Sequence, residues 1–488
     1  MKSVSTITRV LQSVAFYFIV FAAVCLCPST AVTSALSSEA ADTTVYAYND
    51  KQSEPVYDAA DNATLIERLP PWFPNLLGLQ FNGIYQNVPG FRSPYKADNS
   101  YSSDGVFGHT LTHIYGIYLG TQLSPRLQFY FDYEMAKGEG VSSGHGLGGY
   151  TNGDVIRVGG GDLGNGPYVA RAYFRYIVPL ADETEKVERA PDQLPGNEYV
   201  NRIEIKAGRM SPSDDFDLNR YANNTRTQFI NYAFIYNPAW DEATDTRGYS
   251  YGVLAALVQP KWRLALGVYM VPTSANGYRM DTQLFQAQGS NLEFTCKPND
   301  SGTVIRALAY LNRARMGNYN EAVAIANDTG STPDVFADER RARTKYGFGI
   351  NIEQPLADDG ETGLFGRIGW NDGHNENFMY TEVDQHLSLG VQLSGIHWGR
   401  PEDRVGLASA IQGISRQHRD YLAAGGLGML IGDGQLNYGP EQILEMYYRL
   451  QIGKYVQITP DYMLIANPGY NRDRGPASIM SMRMRVAY

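Results

Sequence analysis

The sequence predicts an all-β chain: a single transmembrane antiparallel β-barrel of about sixteen strands, with short periplasmic turns at one end and long external loops at the other. Three observations predict it. Strand-length stretches of alternating character recur from about residue 76 to the end. "LQFYFDYEM" (127–135) places Leu127, Phe129, Phe131, Tyr133 and Met135 on one face and Gln128, Tyr130, Asp132 and Glu134 on the other. Connections come in two kinds, short (124–126, 259–261, 355–362) and long, Gly-rich or charged (88–108, 136–166, 180–199, 272–290, 313–343, 413–441). The N-terminus reads as an export signal. A soluble sandwich would show the same alternation, with the charged face in water. The barrel is preferred because the chain is exported, because Tyr115, Tyr133, Tyr176 and Tyr488 sit near the ends of oily faces, and because closure leaves no sheet edge. The mean hydropathy of -0.32 does not separate the two, since only half of a barrel strand meets lipid.

Taken in order, Lys2 and Arg9 precede the apolar run Val14 to Cys27, and Ala31, Ala35 and Ala40 follow, each with Ser or Thr two residues earlier. That order predicts a signal peptide over 1–40, cleaved near 31–40. Residues 41–75 are polar, then Pro-rich at "LPPWFP", and read as a periplasmic lead-in; 76–488 is the barrel domain. Its strands begin at 79–86 and 111–123. A Ser124-Pro125-Arg126 turn leads into 127–135. In 168–178, Tyr168, Ala170, Ala172, Phe174, Tyr176 and Val178 oppose Arg171, Tyr173 and Arg175. Residues 201–210 set Arg202, Glu204 and Lys206 on one face, and 251–271 is a hairpin turning at Gln259-Pro260-Lys261. Further strands are expected at 291–297, 302–312, 345–354, 363–371, 385–394, 404–411, 444–452, 455–466 and 477–488, and a short helix within 419–430. Cleavage would remove Cys25 and Cys27 and leave Cys296 alone, with no disulfide framework.

The net charge of -10 argues against nucleic acid. "GGGDLGNG" (159–166) and "GGLGMLIGDG" (425–434) lack the Lys-Ser/Thr of a phosphate loop. His109 and His113 are four apart on a strand, without a third ligand. The reading is therefore not an enzyme, with no cofactor and no metal.

Residues 208–258 carry Gly208-Arg209, Asp215-Phe216-Asp217, Thr227-Gln228-Phe229, Asn231 and Asp245-Thr246-Arg247-Gly248-Tyr249. This stretch resembles the signature region of the OprB-type carbohydrate-selective porins. So do 398–408, 421–448, 458–469 and the terminal Tyr488, and the resemblance covers roughly 76–488. It implies a sixteen-stranded barrel in the bacterial outer membrane that passes sugars, with loops folded into the pore and Tyr488 presented to the outer-membrane assembly machinery. The chain departs from the family in its lead-in and in loops 136–166 and 313–343.

The candidate solute-binding residues lie on the polar faces: Arg171, Arg175, Arg202, Glu204 and Lys206, with Asp132 and Glu134 as partners, and Tyr173 and Arg306. They read either as an eyelet that exchanges hydrogen bonds with sugar hydroxyls or as wall ion pairs that neutralise one another. Tyr130, Tyr173, Tyr269 and Tyr310 read as lumen packing in preference to a stacking slide. Asp214, Asp215, Asp217 and Arg220 either fold a loop against the wall or touch solute. The expected function is passive diffusion of small, glucose-type saccharides. A porin for other small solutes or anions, and an exported soluble sugar-binding β protein, are the alternatives. Expected partners are small saccharides, outer-membrane lipid and the assembly machinery; the state is monomer or homotrimer.

Overall fold

A computed structural model describes residues 74–102, 110–155, 163–164 and 166–488. The expected signal peptide, almost all of the lead-in, and His109 lie outside these residues.

Period-two alternation produces the strands. They are β1 (Leu76–Asn87), β2 (Leu111–Ser124), β3 (Leu127–Lys137), β4 (Tyr168–Pro179), β5 (Thr184–Val187) and β6 (Gly196–Tyr199). Next come β7 (Arg202–Met210), β8 (Ser250–Gln259), β9 (Trp262–Tyr269), β10 (Gln288–Cys296), β11 (Val304–Met316) and β12 (Arg340–Ala357). The last are β13 (Thr362–Asn371), β14 (Gln385–Ser394), β15 (Arg404–Gly413), β16 (Glu441–Ile452), β17 (Val456–Ala466) and β18 (Ala477–Ala487). Among the described residues, all but β5 and β6 close into one antiparallel barrel in which chain neighbours pair, and β1 meets β18. Backbone bonds between Leu79 and Tyr488, 2.8 and 3.1 Å long, finish that seam. Among the described residues, three α-helices, α1 (Tyr232–Ile235), α2 (Tyr319–Thr329) and α3 (Arg416–Ala423), lie in connections, and none is long and apolar enough to cross a membrane. The last answers the expected helix within 419–430.

The alternation resolves inward and outward as a barrel requires. Of β3, Gln128, Tyr130, Asp132 and Glu134 are buried inside, whereas Leu127, Phe129, Phe131 and Tyr133 are partly or fully exposed on the wall. Leu266, Leu387, Leu389 (64% exposed) and Met482 continue the apolar exterior. Such a continuous apolar outer band belongs in hydrocarbon.

Four expectations change. A β-bulge at Ala170, where the β3–β4 register slips between Asp132–Arg171 and Tyr133–Val169, turns Tyr168 into the lumen instead of onto the oily face. Segment 180–201 belongs to the short-turn end, because β4 runs from a long loop to that end, and it folds into the β5–β6 hairpin. Cys296 is disulfide-bonded, not the lone thiol expected. Finally, the longest intrusion is residues 211–249, between β7 and β8, which carries the expected signature.

That loop fills much of the lumen, and the polar wall captures its backbone. Arg367 on β13, fully buried, donates to the carbonyls of Ala222 and Phe234 at 2.7 Å and pairs with Asp217 at 3.1 Å. Glu293 accepts from the Asp217 N–H at 2.7 Å, and Glu353 accepts from the Arg220 N–H at 2.7 Å. Glu445 on β16 takes the N–H groups of Ile230 and Asn231. Arg483 on β18 donates to Thr225 and Gln228 carbonyls at 2.6 Å. Each bond satisfies a backbone group that water would otherwise have to reach. The fit is close enough that a Cβ at Gly369 would stand 1.9 Å from Asn237 of the loop. Asp217, and with it Arg220, therefore folds the loop against the wall.

Removing one partner of a buried pair strands the other charge, which costs about 3–5 kcal/mol. We expect Arg367→Met to lower the unfolding temperature of the barrel, read from heat-modifiable electrophoretic mobility, and Arg367→Met/Asp217→Asn to recover part of the loss.

Candidate functional site

The backbone of the intruding loop is held by β10, β12, β13, β16 and β18, and a space remains between the loop and β1–β4. A cavity of about 270 Å³ remains there, lined from the wall by Gln80, Tyr118, Glu134, Tyr168 and Arg171. The loop contributes Asp214, Arg226, Tyr232, Tyr236, Glu242, Arg247 and Tyr249; Asp154 closes it from 138–155 and Asp192 from the β5–β6 hairpin.

Two charged nodes face each other across this space. At the first, Glu134 accepts from the Tyr249 hydroxyl at 2.7 Å, the Tyr118 hydroxyl at 3.0 Å, the Arg226 guanidinium at 3.1 Å and the Tyr168 hydroxyl at 3.3 Å. Arg226 also reaches Asp154 at 2.7 Å, and Asp154 accepts from Asn82 at 2.7 Å. At the second, Arg171 grips Asp214 in a two-pronged pair at 2.6 and 2.7 Å, with Asp132 at 3.0 Å and Asp192 at 3.5 Å. The Tyr249 ring joins the nodes, 5.3 Å from the Arg171 guanidinium, and Arg247 lies 4.0 Å over the Tyr168 ring. The β7–β8 loop and the β4 bulge together aim these side chains inward.

Such a surface offers acceptors, donors and ring faces in close succession, with Glu134, Asp154, Arg171, Asp192, Asp214 and Arg226 all in ion pairs. Among the described lining residues, five carboxyls face three guanidiniums. Burial pushes Glu242 up to about 8 against the pull of the Ser213 hydroxyl and N–H, and Asp214 and Asp217 add to the rise. Glu242 is therefore largely neutral at pH 7.

Of the expected binding residues, the structure places Glu134 and Arg171 on the cavity, with Asp132 directly behind Arg171. Arg175, Arg202, Glu204 and Lys206 form a separate ladder along β4 and β7. Arg175 pairs with Glu204 at 2.6 Å, Arg202 with Glu204 at 3.4 Å, and Lys206 with Asp215 at 2.7 Å. Tyr173 stacks on Tyr130 at 5.2 Å beside that ladder. Arg306, buried, pairs with Glu353 at 3.3 Å on the far wall. Tyr269 packs edge-on against Phe216, and Tyr310 donates to the Ala239 carbonyl, so both support the loop. Sequence reasoning missed Arg226, Asp154, Glu242, Tyr168 and Tyr249. Arg226, Glu242 and Tyr249 lie inside the signature-like stretch, which was the available signal; Tyr168 was hidden by the bulge.

A family model described as carbohydrate-selective porin, OprB family, matches residues 126–488, about three quarters of the chain. Among solved structures the chain is similar to the high-pH structure of Pseudomonas putida OprB, with 14% identity and a TM-score of 0.61 over 85% of this chain and 94% of that one. The low-pH structure of the same protein gives 13% identity and a TM-score of 0.41 over 84% and 92%. The outer membrane channel DcaP of Acinetobacter baumannii gives 10% and 0.44 over 85% and 96%. At these identities the likeness is one of fold. No curated protein matches the chain.

Glu242 gains its charge as pH rises through about 8, which adds a negative charge to the cavity. Preference for potassium over chloride, measured as reversal potential in a salt gradient, should increase across that range, and Glu242→Gln should abolish the increase. The same raised value means that folding holds a proton the unfolded chain has lost, so Glu242 lowers stability progressively as pH climbs from the ordinary carboxylate range toward 8.

Proposed function

The chain belongs to the OprB family of carbohydrate-selective porins, and from that premise we propose that its lumen passes glucose-type saccharides through the Glu134–Arg226 and Arg171–Asp214 nodes. It is a bacterial outer-membrane porin, a channel and not an enzyme. The observation that carries the proposal is the cavity between the two nodes, in which paired charges and Tyr rings surround a volume of about 270 Å³. Small-molecule sites begin at about 300 Å³, so the space suits one small solute at a time.

A neutral polyol can exchange bonds at both nodes. Its hydroxyls accept from Arg171 or Arg226 and donate to Glu134 or Asp214, while an apolar sugar face rests on Tyr249 or Tyr168. Because the charges are satisfied by one another when solute is absent, the net gain on binding is small. Diffusion requires that weakness, since solute must also leave. The excess of carboxyls in the lining disfavours the anion reading. Within the proposal, the Arg175–Glu204–Arg202–Lys206–Asp215 ladder and the Arg306–Glu353 pair keep the wall in shape, and Tyr173 braces the ladder. The apolar exterior meets outer-membrane lipid, and Tyr488 is the handle for assembly.

The test is single-channel conductance of the refolded protein in a planar bilayer with increasing glucose. Saturable reduction of current is expected. Glu134→Gln, which removes the charge and keeps the shape, should weaken that block about tenfold, the loss of one charge-assisted hydrogen bond. Channels whose current ignores glucose would leave the porin in place and refute the saccharide.

A further inference from the structure

The segment between β4 and β7 returns into the barrel from the short-turn end. Its tip is the turn Ala190-Pro191-Asp192-Gln193, closed by reciprocal backbone bonds of 3.0 and 3.3 Å between Ala190 and Gln193. Proline at the second position and a residue at φ 56° at the third suit a type II turn. Ala190, Pro191 and Asp192 line the cavity described above. On one side the hairpin is tied to β3, β4 and β7: Glu198 pairs with Arg175 at 2.5 Å and with Arg202 at 2.9 Å, and the Leu194 N–H donates to the Tyr130 hydroxyl of β3 at 3.3 Å. On the other side Arg189 crosses to the β1–β18 seam, where it donates to the carbonyls of Leu77 and Tyr488 and lies 5.6 Å from the Tyr488 ring. Because β2 separates the β3–β4–β7 anchorage from the β1–β18 seam, the hairpin spans that part of the mouth as a strap.

Resting on the saccharide reading above, we propose that this hairpin is a specificity element at the periplasmic mouth, with Asp192 as the residue that discriminates. Asp192 stands 3.5 Å from Arg171, farther than Asp214 at 2.6 Å or Asp132 at 3.0 Å. It is the partner of Arg171 most easily parted by a solute. A hydroxyl placed between them accepts from the guanidinium and donates to the carboxylate, which a neutral polyol can do and a simple ion cannot. An anion meets Asp192, and a cation meets Arg171, so each is opposed at the same point.

The experiment is glucose titration of single-channel current on the full chain, comparing wild type with Asp192→Asn and Arg189→Ala. Asparagine tolerates the positive φ, so the turn persists. The proposal expects Asp192→Asn to weaken glucose block about tenfold and to shift the reversal potential toward anions. It expects Arg189→Ala, which unfastens the strap at the seam, to raise open-channel conductance by about twofold. Heat-modifiable mobility confirms that each variant forms the barrel. Variants that both retain wild-type glucose affinity and conductance would overturn the hairpin's role while leaving the saccharide reading intact. A wild-type channel insensitive to glucose would instead sink both readings.

Discussion

A chain segment inside a barrel must find a partner for every backbone N–H and C=O that water cannot reach, and the rest of this structure follows from how that demand is met. Residues 211–249 occupy the lumen without a regular ladder of their own. The wall supplies their partners one at a time: Arg367 and Arg483 to carbonyls, Glu293, Glu353 and Glu445 to N–H groups. The charges of the inner face are thus spent largely on holding the loop, and only a few turn to the remaining space. The same logic recurs above the lumen, where Glu382 accepts from the Leu430 and Ile431 N–H groups at 2.8 Å and ties two outer loops together.

The position of the solute space is a consequence of this attachment. Anchors on β10, β12, β13, β16 and β18 draw the loop to one side, and the opening remains along β1–β4. There the loop's free edge presents Arg226, Glu242 and Tyr249 toward Glu134 and Arg171 on the wall. A site assembled from two separately anchored surfaces can be polar throughout and still rigid, because Glu134–Arg226 and Arg171–Asp214 pair across the two.

The barrel itself was legible because lipid and lumen impose opposite demands on successive residues, so period two survives in every strand. "LQFYFDYEM" shows it in full: Asp132 is 0% exposed and Tyr133, its neighbour, 39%. Arg171 and Glu134 were found by the same parity. What parity cannot reveal is a local slip of register or a contact between distant segments. The bulge at Ala170 reverses Tyr168, and nothing within 168–178 marks it. Arg226 and Asp154 meet through loops 72 residues apart in sequence. Arg306 and Glu204 looked equivalent to Arg171 in pattern, yet which lumen charges face the open cavity is decided by where the intruding loop lies.

The anchors of that loop are spread along the chain in an instructive way. It leaves β7, and several of its holders come from strands made later; the last of them, Arg483, stands on β18, the strand that pairs with β1 to shut the cylinder. The loop cannot be fully satisfied until the cylinder shuts, and the cylinder gains those bonds only if the loop is already inside. Narrowing of the passage and closure of the wall therefore stabilise each other, through contacts of very long sequence separation.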